Sequence, residues 1–394
     1  MAKTDVVIIE SVRTAIGEFL GTLREVTAPQ LGAIVIAELM ARTKVDPSLI
    51  DDVTMGCVLS AGQGQAPARQ AALIAGLPQK VGATTINKMC GSGLKAIMLT
   101  VDALKANSIN IGIAGGMENM SRAPHLTDFP RQGVRLGHTR LVDHMLYDGL
   151  EDAYERGKHM GVFAEKCALH YNFSREQQDT FALQSLTRAQ DAITNGFFKN
   201  EIVPITLNHK KDSVHLTNDE LPQKARPEKI PQLKPVFQEN GTVTAANSSG
   251  LSDGASAHLL MRQETADTLH LKPLARVIGH ASFAQAPDWF TTAPVGAIRA
   301  LCDKIKWTLD TVDLFEINEA FAAVTLAAIE ELKLDPKKVN IQGGACALGH
   351  PIGASGARIL TTLIYALKRT GKKRGIAALC IGGGEAVAMA IEVL

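Results

Sequence analysis

The sequence predicts an α/β fold, and three observations carry that reading. Short β-branched runs alternate with longer helical patterns along most of the 394 residues. The order strand, glycine-rich junction, long helix, strand ending in Gly-Gly occurs twice, once in each half of the chain. Between the two copies lies a polar, basic stretch with little strand signal, which reads as an inserted, partly helical subdomain.

The elements follow in order. "DVVIIESV" from Asp5 is a buried strand, "APQLGAIVIAELMARTKV" from Ala28 a helix, and "IDDVTMGCVL" from Ile50 a strand again. After Cys90, Leu94, Ile97, Met98, Val101 and Leu104 recur at three- and four-residue spacing and build one apolar helix face. Cys90 therefore sits at or just before a helix N-terminus, and "INIGIAGG" follows as a strand. From Glu118 to about Asn247 come two amphipathic stretches, "HMGVFAEKCALHYN" and "REQQDTFALQSLTRAQDAITNGFF", then a strand at "EIVPITL". The basic, proline-rich segment Pro222 to Pro235, with Lys224, Arg226, Lys229 and Lys234, reads as a solvated loop. The α/β rhythm resumes at "ASAHLLM" and "LARVIGHAS". The second copy is then "VDLFEINEAF", "VNIQGGACALGHPIGASGARILTTLIYALKR" and "GIAALCIGGG". Copies that face each other would bring their glycine-rich junctions together.

Composition narrows the function. Forty-one Lys and Arg nearly cancel 40 Asp and Glu, so the chain lacks a global electrostatic footprint for nucleic acid or an anionic membrane. The six cysteines (Cys57, Cys90, Cys167, Cys302, Cys346, Cys380) form no CxxC and no ligand-like His spacing, so free thiols and no metal are expected. The start, Met1 to Asp5 before a short apolar run, places an acid where a signal peptide would avoid one, and the expected compartment is the cytoplasm. Phosphate loops fail on order: Gly62-x-Gly64 meets Pro67 at the third glycine position, and "CGSGLKA" and "GHPIGASGAR" lack the GxxxxGK[ST] pattern.

Four residues have the chemistry of a site. A thiol at a helix N-terminus feels the positive end of the helix dipole, which favours a thiolate at Cys90, with flanking glycines that let a substrate approach. Taken alone, the same cysteine fits equally well as a small buried filler. His350 occupies the equivalent junction of the second copy, and Asn318 ends the apolar run "VDLFEI". Cys380 ends a strand before three glycines. A hydrolase has no use for a second cysteine. A reaction that makes or breaks a carbon-carbon bond beside a thioester does, because it must also move a proton on carbon.

These residues, with "VRTAIGEFLGTL", "NKMCGSGLKAI", "GGMENMSRAPH", "HMGVFAEKCA", "GTVTAANSSGLSDGASA", "NEAFAA", "GGACALGHPIGASGARIL" and "LCIGGGEAVAM", resemble the thiolases over essentially the whole chain, and most closely their biosynthetic acetyl-transferring branch. The resemblance implies a five-layered αβαβα thiolase fold of two similar βα halves with an inserted loop domain. It assigns residues 1–120 and 251–271 to the N-terminal half, 121–250 to a CoA-binding loop domain and 272–394 to the C-terminal half. It implies fatty acid metabolism and a homotetramer built as a dimer of dimers. CoA and acetyl-CoA would be substrates, with no permanently bound cofactor.

By the same resemblance Cys90 is the nucleophile, His350 the base and Cys380 the acid/base at the α-carbon. His350 and a water on Asn318 form one oxyanion hole, and the N–H groups of Cys90 and Gly382 form the other. The CoA ester lies along Leu150, His159, Met160, Arg226, Phe237, Ala245, Ser249, Leu251, Phe290, Ala320 and Phe321, with the basic Pro-rich loop at its phosphates. The "HMG" run favours short acyl chains. A degradative 3-ketoacyl-CoA thiolase is the alternative reading. An inactive lipid carrier, a ketoacyl synthase and a cysteine hydrolase fit the four residues less well. Three positions depart from the family pattern: Glu385-Ala386 where Met or Gln then Gly is common, Ala246 for a common Gly, and Phe290 for a frequent Met.

Overall fold

The structure is a computed structural model that describes residue 2 and residues 4–127, 131–208 and 213–394. Of the start read as unlike a signal peptide, Met1 and Lys3 lie outside the described residues.

The first half runs β1 (Val6–Thr14), α1 (Ala28–Thr43), β2 (Asp52–Gly56), α2 (Pro67–Ile74), β3 (Gly82–Ile86), α3 (Ser92–Lys105) and β4 (Ile111–Asn119). An excursion of residues 120–251 carries α4 (Met160–Tyr171) and α5 (Arg175–Thr194), and β5 (Ser252–Arg262) returns to the frame. The second half runs β6 (Ala275–Ala284), α6 (Ala293–Ile305), β7 (Leu314–Ile317), α7 (Ala322–Leu332), α8 (Ile352–Thr370), β8 (Arg374–Ile381) and β9 (Glu385–Val393).

Strand order β3-β2-β4-β5-β1 in the first half is matched by β7-β8-β9-β6 in the second. The place of β3 is taken there by a parallel bridge between Phe315 and Val339. Pairing directions match too: β2 with β4 and β7 with β8 are parallel, and the next two pairings in each half are antiparallel. The duplication expected from the repeated motif order is therefore present in the topology. The half-sheets join edge to edge where β1 meets β6, through Val7 with Arg276 and Ile8 with Ala275.

Helices α3 and α8 pack against each other between the half-sheets, α1 and α2 cover the outer face of one, and α6 covers the other. Counted through, that is the five-layered αβαβα order. The face predicted for α3, Leu94, Ile97, Met98, Val101 and Leu104, joins Ile359, Leu360, Leu363 and Leu367 of α8 in the central core. Each buried side chain of this size contributes about 2 kcal/mol by area.

The junction glycines have a different purpose from the one expected. A Cβ on Gly93 would lie 2.8 Å from Ala357 N, one on Gly356 2.4 Å from Leu94 N, and one on Gly116 2.0 Å from Gly353 O. The space beside them is filled by the backbone of the opposite copy, not left open for a substrate. Close helix contact is what draws the two junctions together.

The excursion is anchored by charge. Arg13 of β1, fully buried, donates from Nε to Glu201 at 2.6 Å and from Nη1 to Asp219 at 2.7 Å, and Asp219 also accepts from Ile16 N–H. Breaking one partner of such a buried set costs several kcal/mol, because it strands the others. The segment Pro222 to Pro235 is not the plain solvated loop expected. It holds short helical turns at Glu220–Lys224 and Pro227–Gln232, with Ile230 buried and its carbonyl accepting from Arg175.

Candidate active site

Cys90 is presented by a locked turn between β3 and α3. Ser92 Oγ accepts from Lys88 N–H at 2.8 Å and donates to Met89 O at 2.7 Å, and Met89 holds a left-handed φ of +47°. Gly91 lies so close to β8 that a Cβ would meet Ile381 Cδ1 at 2.4 Å. The sulfur thus faces the end of β8 in the other half.

His350 sits in the turn before α8, its N–H donating to Gly250 O at 2.9 Å. Its Nδ1 lies 2.5 Å from Ser355 Oγ, which donates its own proton to Pro351 O. The hydroxyl can therefore only accept from the ring, so Nδ1 carries the hydrogen and Nε2 keeps a lone pair. Nε2 is buried without a protein partner.

Burial sets the charges. It drives His350 down to about 3, with the Arg358 charge adding to the effect, so the imidazole is neutral. The protein packed around the Cys90 sulfur pushes the thiol up to about 11, against the opposing pull of the Gly382 and Cys90 N–H groups. The helix dipole expected to favour a thiolate loses to desolvation, and the resting pair is thiol and imidazole. The two amides that oppose the shift are those named for an oxyanion hole.

Cys380, the penultimate residue of β8, is fully buried, and its thiol is pushed well up by burial first and by Cys90 next. It lies among Phe163, Phe290 and Phe321, with Met160 and Phe237 beside them. Phe290 meets Phe163 edge-on at 6.4 Å and Phe321 at 6.5 Å. Asn318 is buried, and both of its amide atoms lack a protein partner, which suits an ordered water.

Three of these groups meet at a cleft of about 370 Å³. Cys90, His350 and Gly382 line it together with Leu150, His159, Met160, Phe237, Ala245, Ser249, Leu251, Phe290, Ala320 and Phe321. Cys380 and Asn318 lie buried, outside the lining. Arg226 is the exception among the expected ligand residues. It lines an adjoining cleft of about 380 Å³ with Lys224 and Lys229, which shares Ala245 and Gly250 with the first. Lys224 is already paired with Glu18 and Glu220. His159 caps α4 and stacks on Phe237 at 4.8 Å.

Sequence reasoning missed the supports. Besides Ser92 and Ser355, Glu118 at the end of β4 accepts from the N–H groups of Val58, Leu59 and Gly353 at 2.9 to 3.1 Å. Burial raises its carboxyl to about 7. An acid closing an otherwise apolar strand, in "GGMEN", was the available signal. Among the described residues no group of three or more His, Cys, Asp or Glu is placed to hold a metal, and no helix is long and apolar enough to cross a membrane.

A thiol, a bare imidazole nitrogen, two amides converging on the sulfur and a second buried thiol can form and resolve a thioester. On a duplicated α/β frame they define a cysteine-dependent acyl-transfer class. The chain belongs to the thiolase family: the model of the thiolase N-terminal domain matches residues 6–264 and that of the C-terminal domain residues 271–393.

Its relatives include an acetyl-CoA acetyltransferase of Cupriavidus necator, 49% identical over 99% of each chain, and a probable acetyl-CoA acyltransferase of Staphylococcus aureus, 47% identical over 99% of each. Among solved structures, Bacillus anthracis acetyl-CoA acetyltransferase superposes with a TM-score of 0.96 at 42% identity, covering 99% of each chain. The Acat5 thiolase from Ascaris suum in complex with coenzyme A gives 0.94 at 42% identity, covering 99% of this chain and all of that one.

Proposed function

We propose that the protein is an acetyl-CoA C-acetyltransferase, joining two acetyl-CoA into acetoacetyl-CoA and CoA and running thiolysis in reverse. The observation that carries the mechanism is the bare, buried Nε2 of His350 in the same cleft as the un-ionised Cys90 thiol. The activity is supported further by the names of full-length relatives at 49% and 48% identity.

His350 Nε2 takes the Cys90 proton as the sulfur attacks acetyl-CoA, and returns it to the departing CoA thiolate. This leaves acetyl-Cys90 and free CoA. The Cys380 thiol then passes its proton to the free His350 Nε2, and the thiolate so formed removes a proton from the α-carbon of a second acetyl-CoA. Its enolate oxygen is held by His350 and a water on Asn318. The carbon attacks acetyl-Cys90, and the Cys90 and Gly382 N–H groups hold the resulting oxyanion. Collapse releases acetoacetyl-CoA, Cys90 recovers a proton from His350 Nε2, and Cys380 keeps the α-proton, which restores the resting enzyme. An oxyanion donor of this kind supplies roughly 3 kcal/mol.

The remaining assignments belong to the same reading. Residues 121–250 form a CoA-binding loop domain between the half at 1–120 with 251–271 and the half at 272–394. The pantetheine arm lies along Leu150, His159, Met160, Phe237, Ser249 and Leu251, and the basic groups of the adjoining cleft meet the phosphates. The enzyme works in the cytoplasm as a homotetramer. The wall of Phe163, Phe290 and Phe321 around Cys380 favours a short acyl group. Incubation with free CoA and either acetoacetyl-CoA or 3-ketooctanoyl-CoA, following loss of the 3-ketoacyl thioester, tests this reading. Turnover of acetoacetyl-CoA is expected; no turnover of either ester ends the proposal, and preference for the longer one moves it to the degradative branch.

A further inference from the structure

Glu385, a departure from the family pattern, has a partner in the opposite half of the molecule: Lys88 forms an ion pair with it across the mouth of the junction. Lys88 belongs to the turn that presents Cys90, with its N–H held by Ser92 Oγ and its carbonyl accepting from Gly91 N–H at 3.0 Å. Glu385 opens β9, pairs across the strands with Ile381, and closes the turn that carries Gly382. The pair therefore ties the chain two residues before the nucleophile to the chain three residues after Gly382.

That tie lies where the backbone is soft. The turn is Gly382-Gly383-Gly384, with Gly383 at φ +94° and Gly384 at φ +86°, and a Cβ on Gly383 would meet nothing within 4 Å. A turn of this composition has little conformational resistance of its own. Gly384 is held, its carbonyl accepting from Gln285 N–H at 2.8 Å and a Cβ there meeting Gln285 O at 2.4 Å, so the freedom of the turn lies at Gly383, next to the Gly382 N–H. The two ionic side chains are 27% and 36% exposed, so their contribution to stability is about 0.2 to 1 kcal/mol. Alignment is a different matter, because an oxyanion donor acts only when it is aimed at the developing charge.

We propose that Lys88 and Glu385 are positioning residues that fix the Gly382 N–H relative to the Cys90 sulfur across the junction of the two halves. This rests on the reading of Gly382 N–H as an oxyanion donor in acetyl transfer. The test is thiolysis of acetoacetyl-CoA by wild type, Lys88→Met, Glu385→Gln and the charge-swapped Lys88→Glu/Glu385→Lys, each checked for native folding by thermal melting. Each single change is expected to lower kcat by about 10-fold with KM within about 2-fold, as for loss of an interaction made in the transition state. The swap should recover most of kcat. At saturating acetoacetyl-CoA and CoA, added NaCl should lower the kcat of wild type and leave the kcat of Glu385→Gln unchanged, which covers the case of a swap that does not fold. A pair with a merely structural role would lower the melting temperature and leave kcat and its salt response alone. Active wild type with singles of unchanged kcat, or a folded swap no better than the singles, overturns this inference alone. Wild type that fails to turn over acetoacetyl-CoA overturns the acetyl-transfer reading and the inference together.

Discussion

The two copies of the βα unit share one strand order and differ most at one connection. Between β4 and β5 the first copy carries residues 120–251, whereas the equivalent β8 and β9 of the second are joined by Gly382–Gly384 alone. The long connection supplies the walls of the cleft: Leu150, His159, Met160, Phe237 and Ser249 all come from it. The short one leaves the Gly382 N–H and, at the end of β8, the Cys380 thiol close to Cys90. On the proposed function, one frame used twice separates holding the substrate from handling protons and charge, and the helices between the copies set the distance.

Changes on the charge-handling side should be the most severe. His350→Ala removes the base whose buried ring nitrogen has no protein partner at the cleft, and a fall in kcat of roughly 10²- to 10⁴-fold is expected in the acetyltransferase assay. A smaller loss would move the base elsewhere.

The contact between the copies comes next. Gly356→Val places a branched side chain where Leu94 N would be 2.4 Å from its Cβ. Denaturant unfolding should report a loss of about 3 kcal/mol or more, above ordinary overpacking because backbone must move. Normal stability would mean that α3 and α8 are free to separate.

Glu118 couples β4, the loop at Val58 and the start of α8, and burial raises its carboxyl from 4.5 to about 7. The folded state holds this proton more tightly than the unfolded one, so the contribution is complete below pH 4.5 and is lost as pH rises through 7. Wild type should lose on the order of 3 kcal/mol between those limits relative to Glu118→Gln, read as unfolding free energy against pH. Parallel curves would show that Glu118 is ionised throughout. The smallest effect belongs to the substrate-holding side: neutralising Lys224, Arg226 and Lys229 together should raise KM for CoA esters and spare kcat. An unchanged KM would return that adjoining cleft to solvent exposure.

The frame was legible because strand and helix patterns are local. The α3 face at Leu94, Ile97, Met98, Val101 and Leu104 and the repeated motif order both survive into the core and the topology. The candidate reacting residues could be named because Cys90, His350 and Cys380 occupy special places in that order.

The rest depends on what lies opposite. Nothing local to "CGSG" or "GASG" distinguishes a glycine that admits substrate from one that admits another helix. Glu118 and Gly353 are 235 positions apart, so their bond has no sequence pattern. The thiolate expectation for Cys90 failed for the same reason: a helix N-terminus is visible in sequence, while the desolvation that outweighs it is not.

The central claim is that the end of β8 carries the carbon-acid chemistry while Cys90 alone carries the acyl group. The most direct measurement is mass spectrometry of the Cys90 peptide after incubation with acetyl-CoA, alongside acetoacetyl-CoA formation, in wild type, Cys90→Ser and Cys380→Ser. Cys380→Ser should carry the acetyl group on Cys90 and form no acetoacetyl-CoA, and Cys90→Ser should do neither. Condensation that survives Cys380→Ser, or an acetyl group found on Cys380 in place of Cys90, would contradict the account.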